Sequence, residues 1–159
     1  MSVGRLRWLD ELLRTQCAPY VWGGHGAVLW TPQGMVAHPW GGDVYDCAGL
    51  ITTTLHRAGG GPDWRATHNA QTLWDICQPV TASHRNRSLD LLFYGPGPAK
   101  VEHVAVIIGC AACEPPTLLK LEAAGGGRGT VEPQRNPRGP ARVSIRRENR
   151  SDFIGERSL

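Results

Sequence analysis

Apolar residues recur at helical spacing near the start of the chain. Leu6, Leu9, Leu12 and Leu13 are separated by charged side chains, which predicts an amphipathic helix over residues 5–16 that ends before Pro19. A second helix is predicted from Cys47, with Asp46 as its N-cap, Leu50, Ile51, Leu55 and Ala58 on one apolar face, and Gly59 as its C-terminal stop. Residues 67–76 fit a third, short helix. Beyond residue 88 the pattern changes: Leu89–Tyr94, His103–Gly109, Thr117–Ala123 and Ala141–Arg146 read as strands. Helices first and strands afterwards predict an α+β domain with an antiparallel sheet.

The connections carry turn chemistry. Pro19-Tyr20-Val21-Trp22-Gly23-Gly24 is an extended dipeptide running into a glycine turn. The stretch from His25 to Asp43 holds Gly26, Pro32, Gly34, Pro39, Gly41 and Gly42 and reads as a long ordered loop. Gly59-Gly60-Gly61-Pro62 breaks the chain, residues 81–88 are polar and loop-like, and Gly125–Pro140 reads as an exposed connection.

A chain of 159 residues suits one domain, expected to span residues 1–159. With 41% hydrophobic and 19% charged residues, the composition is globular rather than disordered. The net charge of +3, with 15 of the 17 basic residues arginine, is too mild to point to a nucleic-acid partner. No stretch reaches transmembrane length, and the N-terminus lacks the apolar run of a signal peptide. The expectation is synthesis in the cytoplasm without an export signal, no stable membrane association and a monomer. Five cysteines form an odd set, as in a reducing compartment with mostly free thiols. The lone Cys110-Ala111-Ala112-Cys113 reads as a turn between two strands rather than a zinc or redox site, and no metal or cofactor is expected.

Three residues then stand out chemically. Cys47 falls on the first turn of its helix, where unpaired backbone N–H groups and the helix dipole favour a thiolate, the nucleophilic form. This stretch alone fits a cysteine hydrolase or a buried structural cysteine. His103 opens an apolar strand where packing gives a histidine no reason to be, so it is the candidate base. The other reading is a strand-end surface histidine. Glu122 lies near the end of the next strand, where a hairpin can bring its carboxylate to the imidazole and fix its tautomer, or leave it facing solvent.

Taken in order, Pro19–Gly24, Tyr45-Asp46-Cys47-Ala48-Gly49-Leu50, Leu89–Tyr94, Glu102–Gly109 and Leu121-Glu122-Ala123 resemble the landmarks of the NlpC-type cell-wall cysteine peptidases over residues 5–147. The resemblance implies a papain-like α+β fold, with N-terminal helices packed on a central antiparallel sheet. It makes Cys47 the nucleophile, His103 the general base and Glu122 the orienting residue. Tyr20 would line the site, Asp46 would hold the free amino end of a peptide, and Trp22 and Ala48 complete the implied substrate-binding set. The implied partner is the bacterial peptidoglycan stem peptide, cut typically between D-glutamate and a diamino acid. Three departures bear on specificity: Ala48 stands where serine is usual, Glu122 where histidine or asparagine is commoner, and the stretch from His25 to Asp43 is longer than usual.

A bare domain of this type looks like a phage lysin, a tail-associated peptidase or an injected antibacterial effector, with a phage origin favoured. It would act on the wall after release or injection, or as part of a virion. Two other classes stay open: a Cys-His acyltransferase or deamidase acting on a protein or lipid, and a non-catalytic wall-binding protein.

Overall fold

A computed structural model describes residues 3–111, 117–132 and 141–159 of the protein. Helix α1 (Val3–Arg14) buries Trp8 and Leu12, with Leu9 partly covered, while Leu6 and Leu13 face solvent. The stripe is therefore rotated from the one the leucine spacing suggests, because Trp8 carries the larger apolar surface and its indole Nε1 donates to Thr54 Oγ1 at 2.9 Å.

Helix α2 (Cys47–Arg57) is buried from Cys47 through Leu55, not along one face alone. Two of its three threonines, Thr52 and Thr54, tolerate this because they turn their hydroxyls back onto the carbonyls of Ala48 and Leu50, at 3.0 and 2.7 Å. Asp46 caps the helix as expected, and the chain leaves it through Gly59 at φ +70°. The third helix, α3 (Ala70–Ile76), starts later than predicted, since Asn69 and Thr72 form a reciprocal capping box that fixes its first turn.

Four short strands, β1 (Gly24–Gly26), β2 (Val28–Thr31), β3 (Gly34–Ala37) and β4 (Val44–Tyr45), pair antiparallel in the order β3-β2-β1-β4. β2 and β3 fall within the stretch from His25 to Asp43 expected to be a loop, β1 overlaps its start and β4 follows its end. Strands of two to four residues are too short to show alternation, and the glycines and prolines between them serve as turns, Gly34 among them at φ +121°.

The main sheet consists of β5 (Gln78–Pro79), β6 (Leu91–Tyr94), β7 (His103–Ala111), β8 (Thr117–Ala124), β9 (Arg142–Arg147) and β10 (Phe153–Ser158). Its order is β5-β10-β6-β7-β8-β9, all antiparallel. Leu91, Phe93, Val104, Val106, Leu121 and Val143 meet Leu50, Ile51 and Leu55 of α2 in the principal core. Leu92, Tyr94, Ala105 and Ile107 form a second, smaller core. Burial of both alternating sets in β6 and β7 explains why they read as continuous apolar runs.

The sequence gives no sign of β10. It carries Gly155, Glu156 and Arg157, is bulged between Phe153 and Gly155, and owes its place to backbone pairing with β5 and β6. Residues 81–88 include one 3₁₀ turn, Ala82–His84. Of the turn expected at Cys110–Cys113, Cys110 and Ala111 belong to β7, while the rest of it and residues 133–140 of the expected connection fall outside the described residues. Among those described, no helix is long and apolar enough to cross a membrane.

Gly49 shows how tightly α2 is seated. A Cβ there would lie 1.8 Å from the Gly24 carbonyl oxygen, whereas one on Gly41 meets nothing within 4 Å. In urea denaturation, Gly49→Ala is expected to cost about 3 kcal/mol or more, and Gly41→Ala to stay within about 0.5 kcal/mol of wild type.

Candidate active site

The head of α2 is set by one carboxylate. Asp46 Oδ1 accepts from the Gly49 N–H at 2.6 Å, and Oδ2 accepts from the Gly23 N–H at 2.9 Å. The cap therefore also pins the glycine turn that follows Tyr20. Burial pushes the Asp46 carboxyl up to about 6, against the pull of the Gly49, Gly23 and Ala48 N–H groups.

Cys47 follows the cap, and the backbone N–H groups of Val104, Ala48 and Cys47 itself interact with its sulfur. The contact with Val104 brings the sulfur to the residue adjoining His103. These donors favour a thiolate, as the sequence suggests, but they lose. Burial pushes the thiol up to about 12, and the Asp46 carboxylate acts in the same direction. Desolvation and the adjacent anion therefore act against the ionised helix-tip cysteine that the helix dipole favours.

Tyr20 is buried against the same point. Its phenol is held well above the usual range by burial and by the nearby Cys47 and Asp46, so it stays a hydroxyl. Its ring packs against Gly126, where a Cβ would approach to 2.3 Å. Trp22 lies two residues on, 38% exposed, with the Arg128 guanidinium 5.4 Å from its ring centroid. Its backbone N–H donates to the Thr130 carbonyl. Ala48 is buried in the first turn of α2.

The structure brings His103 and Glu122 together. Nε2 of His103 lies 2.8 Å from Glu122 Oε2, with the two side chains 12% and 3% exposed, so neither is a surface residue. Burial alone would raise the Glu122 carboxyl, but His103 and Lys120 hold it down to about 2. Burial pushes the imidazole below its ordinary value, and Glu122 pulls the other way. With both groups lowered on balance, a neutral imidazole beside an ionised carboxylate is favoured. Facing that carboxylate, Nε2 must carry the hydrogen, which leaves Nδ1 as the atom able to take a proton.

Sequence reasoning missed the rest of this cluster. The Lys120 side chain is 1% exposed and bridges Glu122 Oε2 at 3.3 Å and Glu148 Oε2 at 3.0 Å. The Tyr94 hydroxyl donates to Glu148 and accepts from Lys120 Nζ at 3.2 Å. The available signal was a lysine two residues before Glu122 on an apolar strand, since residues two apart share a face. His25 is buried as well, 3.3 Å from Thr52 Oγ1, and burial pushes it down to about 4. It packs as a neutral histidine in the small sheet. Among the described residues no group of three His, Cys, Asp or Glu is placed to hold a metal ion.

No protein-family model and no curated protein matches this chain. Solved structures do. RipD from Mycobacterium tuberculosis, described as a non-catalytic NlpC/p60 domain protein adapted to peptidoglycan binding, aligns with a TM-score of 0.63 at 18% identity, covering 100% of this chain and 98% of its own. The P60 domain of antigen MAP1204 from M. avium subspecies paratuberculosis gives 0.62 at 18% identity, covering 98% and 93%. The peptidoglycan hydrolase RipB from M. tuberculosis gives 0.62 at 18% identity, with 98% of this chain covering 64% of that one. This chain therefore has the α+β NlpC/p60 fold, as the sequence resemblance implied. The fold is shared by a hydrolase and by a non-catalytic binder, so it does not by itself decide between those roles.

The charge state at Cys47 is directly measurable. With the thiol near 12, its iodoacetamide labelling, followed by peptide-resolved mass spectrometry, is expected to keep rising from pH 6 to pH 10 without a plateau. Asp46→Asn removes the adjacent charge while keeping an acceptor for the cap, and is expected to speed labelling at pH 8 about threefold or more. A plateau below pH 8 in the wild-type protein would show a resting thiolate instead.

Proposed function

We propose that this protein is a cysteine hydrolase that cleaves amide bonds in the peptide stems of bacterial peptidoglycan, with Cys47 as nucleophile, His103 as general base and Glu122 as the residue that orients the base. One observation carries the reading: a buried His103–Glu122 pair at 2.8 Å, beside a helix-head cysteine whose sulfur meets the backbone N–H of Val104. A wall-binding domain that did no chemistry would have no use for a tautomer-fixing carboxylate behind a buried imidazole. The hydrolase RipB supports the choice of substrate class.

In this mechanism the Cys47 sulfur attacks the amide carbonyl carbon as its proton passes to Nδ1 of His103. The C–N bond breaks, and the imidazolium gives that proton to the leaving amine. Water, deprotonated by the same imidazole, then adds to the thioester. The acid product departs and the thiol is restored. Because thiol and imidazole both start neutral, charge develops only during attack, when oxyanion donors count most. The Cys47 backbone N–H and the Tyr20 hydroxyl are the proposed donors, each worth on the order of 3 kcal/mol in the transition state.

The second reading, non-catalytic wall binding, takes its support from RipD. Digestion of purified muropeptides followed by mass analysis separates the two. Hydrolysis is expected to release new amino termini. Cys47→Ala is expected to abolish release, and Glu122→Gln to lower kcat by about two orders of magnitude or more, with the fold unchanged by circular dichroism. Sedimentation with sacculi without product release would establish the binding reading. Clearing of outer-membrane-permeabilised cells by protein added from outside tests the lysin setting.

A further inference from the structure

Lys120 has no role in the mechanism above, yet it is the most deeply buried charged side chain among the described residues. An ammonium at 1% exposure carries a large desolvation penalty, tolerated only when good partners surround it. Its partners are specific: Glu122 Oε2 at 3.3 Å, Glu148 Oε2 at 3.0 Å, the Tyr94 hydroxyl at 3.2 Å and the Tyr94 ring face at 4.5 Å from the centroid. Glu122 Oε2 is also the atom that receives His103 Nε2 at 2.8 Å. One carboxylate oxygen is therefore shared between the candidate base and a lysine.

We propose that Lys120 is a positioning residue for His103: its ammonium locks Glu122 in place as a carboxylate while withholding part of that charge from the imidazole. The inference rests on the reading of His103 as the base. Two consequences follow from the shared oxygen. Glu122 cannot swing away from His103 without losing Lys120, so the imidazole keeps its hydrogen on Nε2. Lys120 also opposes protonation of His103, and the base stays neutral and ready to accept a proton near neutral pH. Glu148 and Tyr94 complete the device by holding the lysine from its other side, so that its charge is divided between two carboxylates.

The groups facing His103 are Glu122 and Lys120 from β8, Tyr94 from β6, and Arg150 and Asp152 from the segment leading into β10. Glu148 stands behind Lys120, and Arg146 of β9 lies 3.7 Å from Glu122 Oε1. Within this set, removal of Lys120 and removal of the Glu148 charge act on His103 in opposite directions. A packing defect common to both variants would not do so.

The test is NMR titration of the His103 imidazole in the full chain, alongside muropeptide digestion over a range of pH. Lys120→Met is expected to raise the His103 midpoint by about half a pH unit or more, because the opposing cation is gone. Glu148→Gln is expected to lower it, because Lys120 then bears on Glu122 alone. The acid limb of kcat/KM is expected to move with each midpoint, with kcat changing more than KM. An unshifted midpoint in folded Lys120→Met, or shifts of the same sign in both variants, would overturn the proposal. If Lys120→Met does not fold, Glu148→Gln decides by the sign of its shift, a rise or no change overturning the proposal. Opposite shifts in a protein that releases no product would refute the hydrolase reading and leave the electrostatic coupling standing.

Discussion

The site depends on the Asp46 carboxylate being shared between two backbone N–H groups. One bond, to Gly49, starts α2; the other, to Gly23, holds the turn after Tyr20 against it. The Asp46 N–H in turn donates to the Gly24 carbonyl, the same carbonyl that leaves no room for a side chain at Gly49. Cys47, the flanking tyrosine and the glycine turn are thereby fixed in one rigid corner. The arrangement has a chemical cost, because the anion that builds the corner also disfavours ionisation of the sulfur it positions.

The two halves of the site handle charge in opposite ways. Around Cys47 the protein supplies burial and one anion, which oppose ionisation of the thiol, and a few backbone donors that favour it. Around His103 it supplies a chain of alternating charges, Glu122, Lys120 and Glu148, closed by Tyr94. In a buried setting such a chain holds together only when each member is paired, so it is rigid as well as polar. In the proposed mechanism, proton transfer from sulfur to imidazole crosses from an under-solvated half to a well-ordered one.

Much of this was legible in the sequence, for identifiable reasons. The Asp46 cap and the Gly59 stop use local chemistry that needs no tertiary context, and the runs at Leu89, His103, Thr117 and Ala141 are long enough to declare strands. The meeting of His103 with Glu122 follows from a hairpin between two such runs. What stayed hidden depends on distant parts of the chain. The small sheet between Gly24 and Tyr45 is made of strands too short to alternate, and β10 is placed by backbone pairing rather than by apolar side chains. Lys120 and Glu148 are 28 positions apart, and nothing local announces their contact. The charge state of Cys47 could not be read either, since it turns on burial and on a carboxylate whose other bond reaches back to Gly23.

The position of β10 bears on how the molecule is made. Because Phe153–Ser158 lies between Gln78–Pro79 and Leu91–Tyr94, the main sheet cannot close until residue 158 has cleared the ribosome. Until that moment the growing polypeptide displays the uncovered backbone of β6, a strand margin that invites pairing with other chains. Assembly therefore waits for β10 and is dominated by distant pairings, which makes it slow. Through synthesis, the strand that seals the sheet beside the Tyr94–His103 rung emerges after the other described strands.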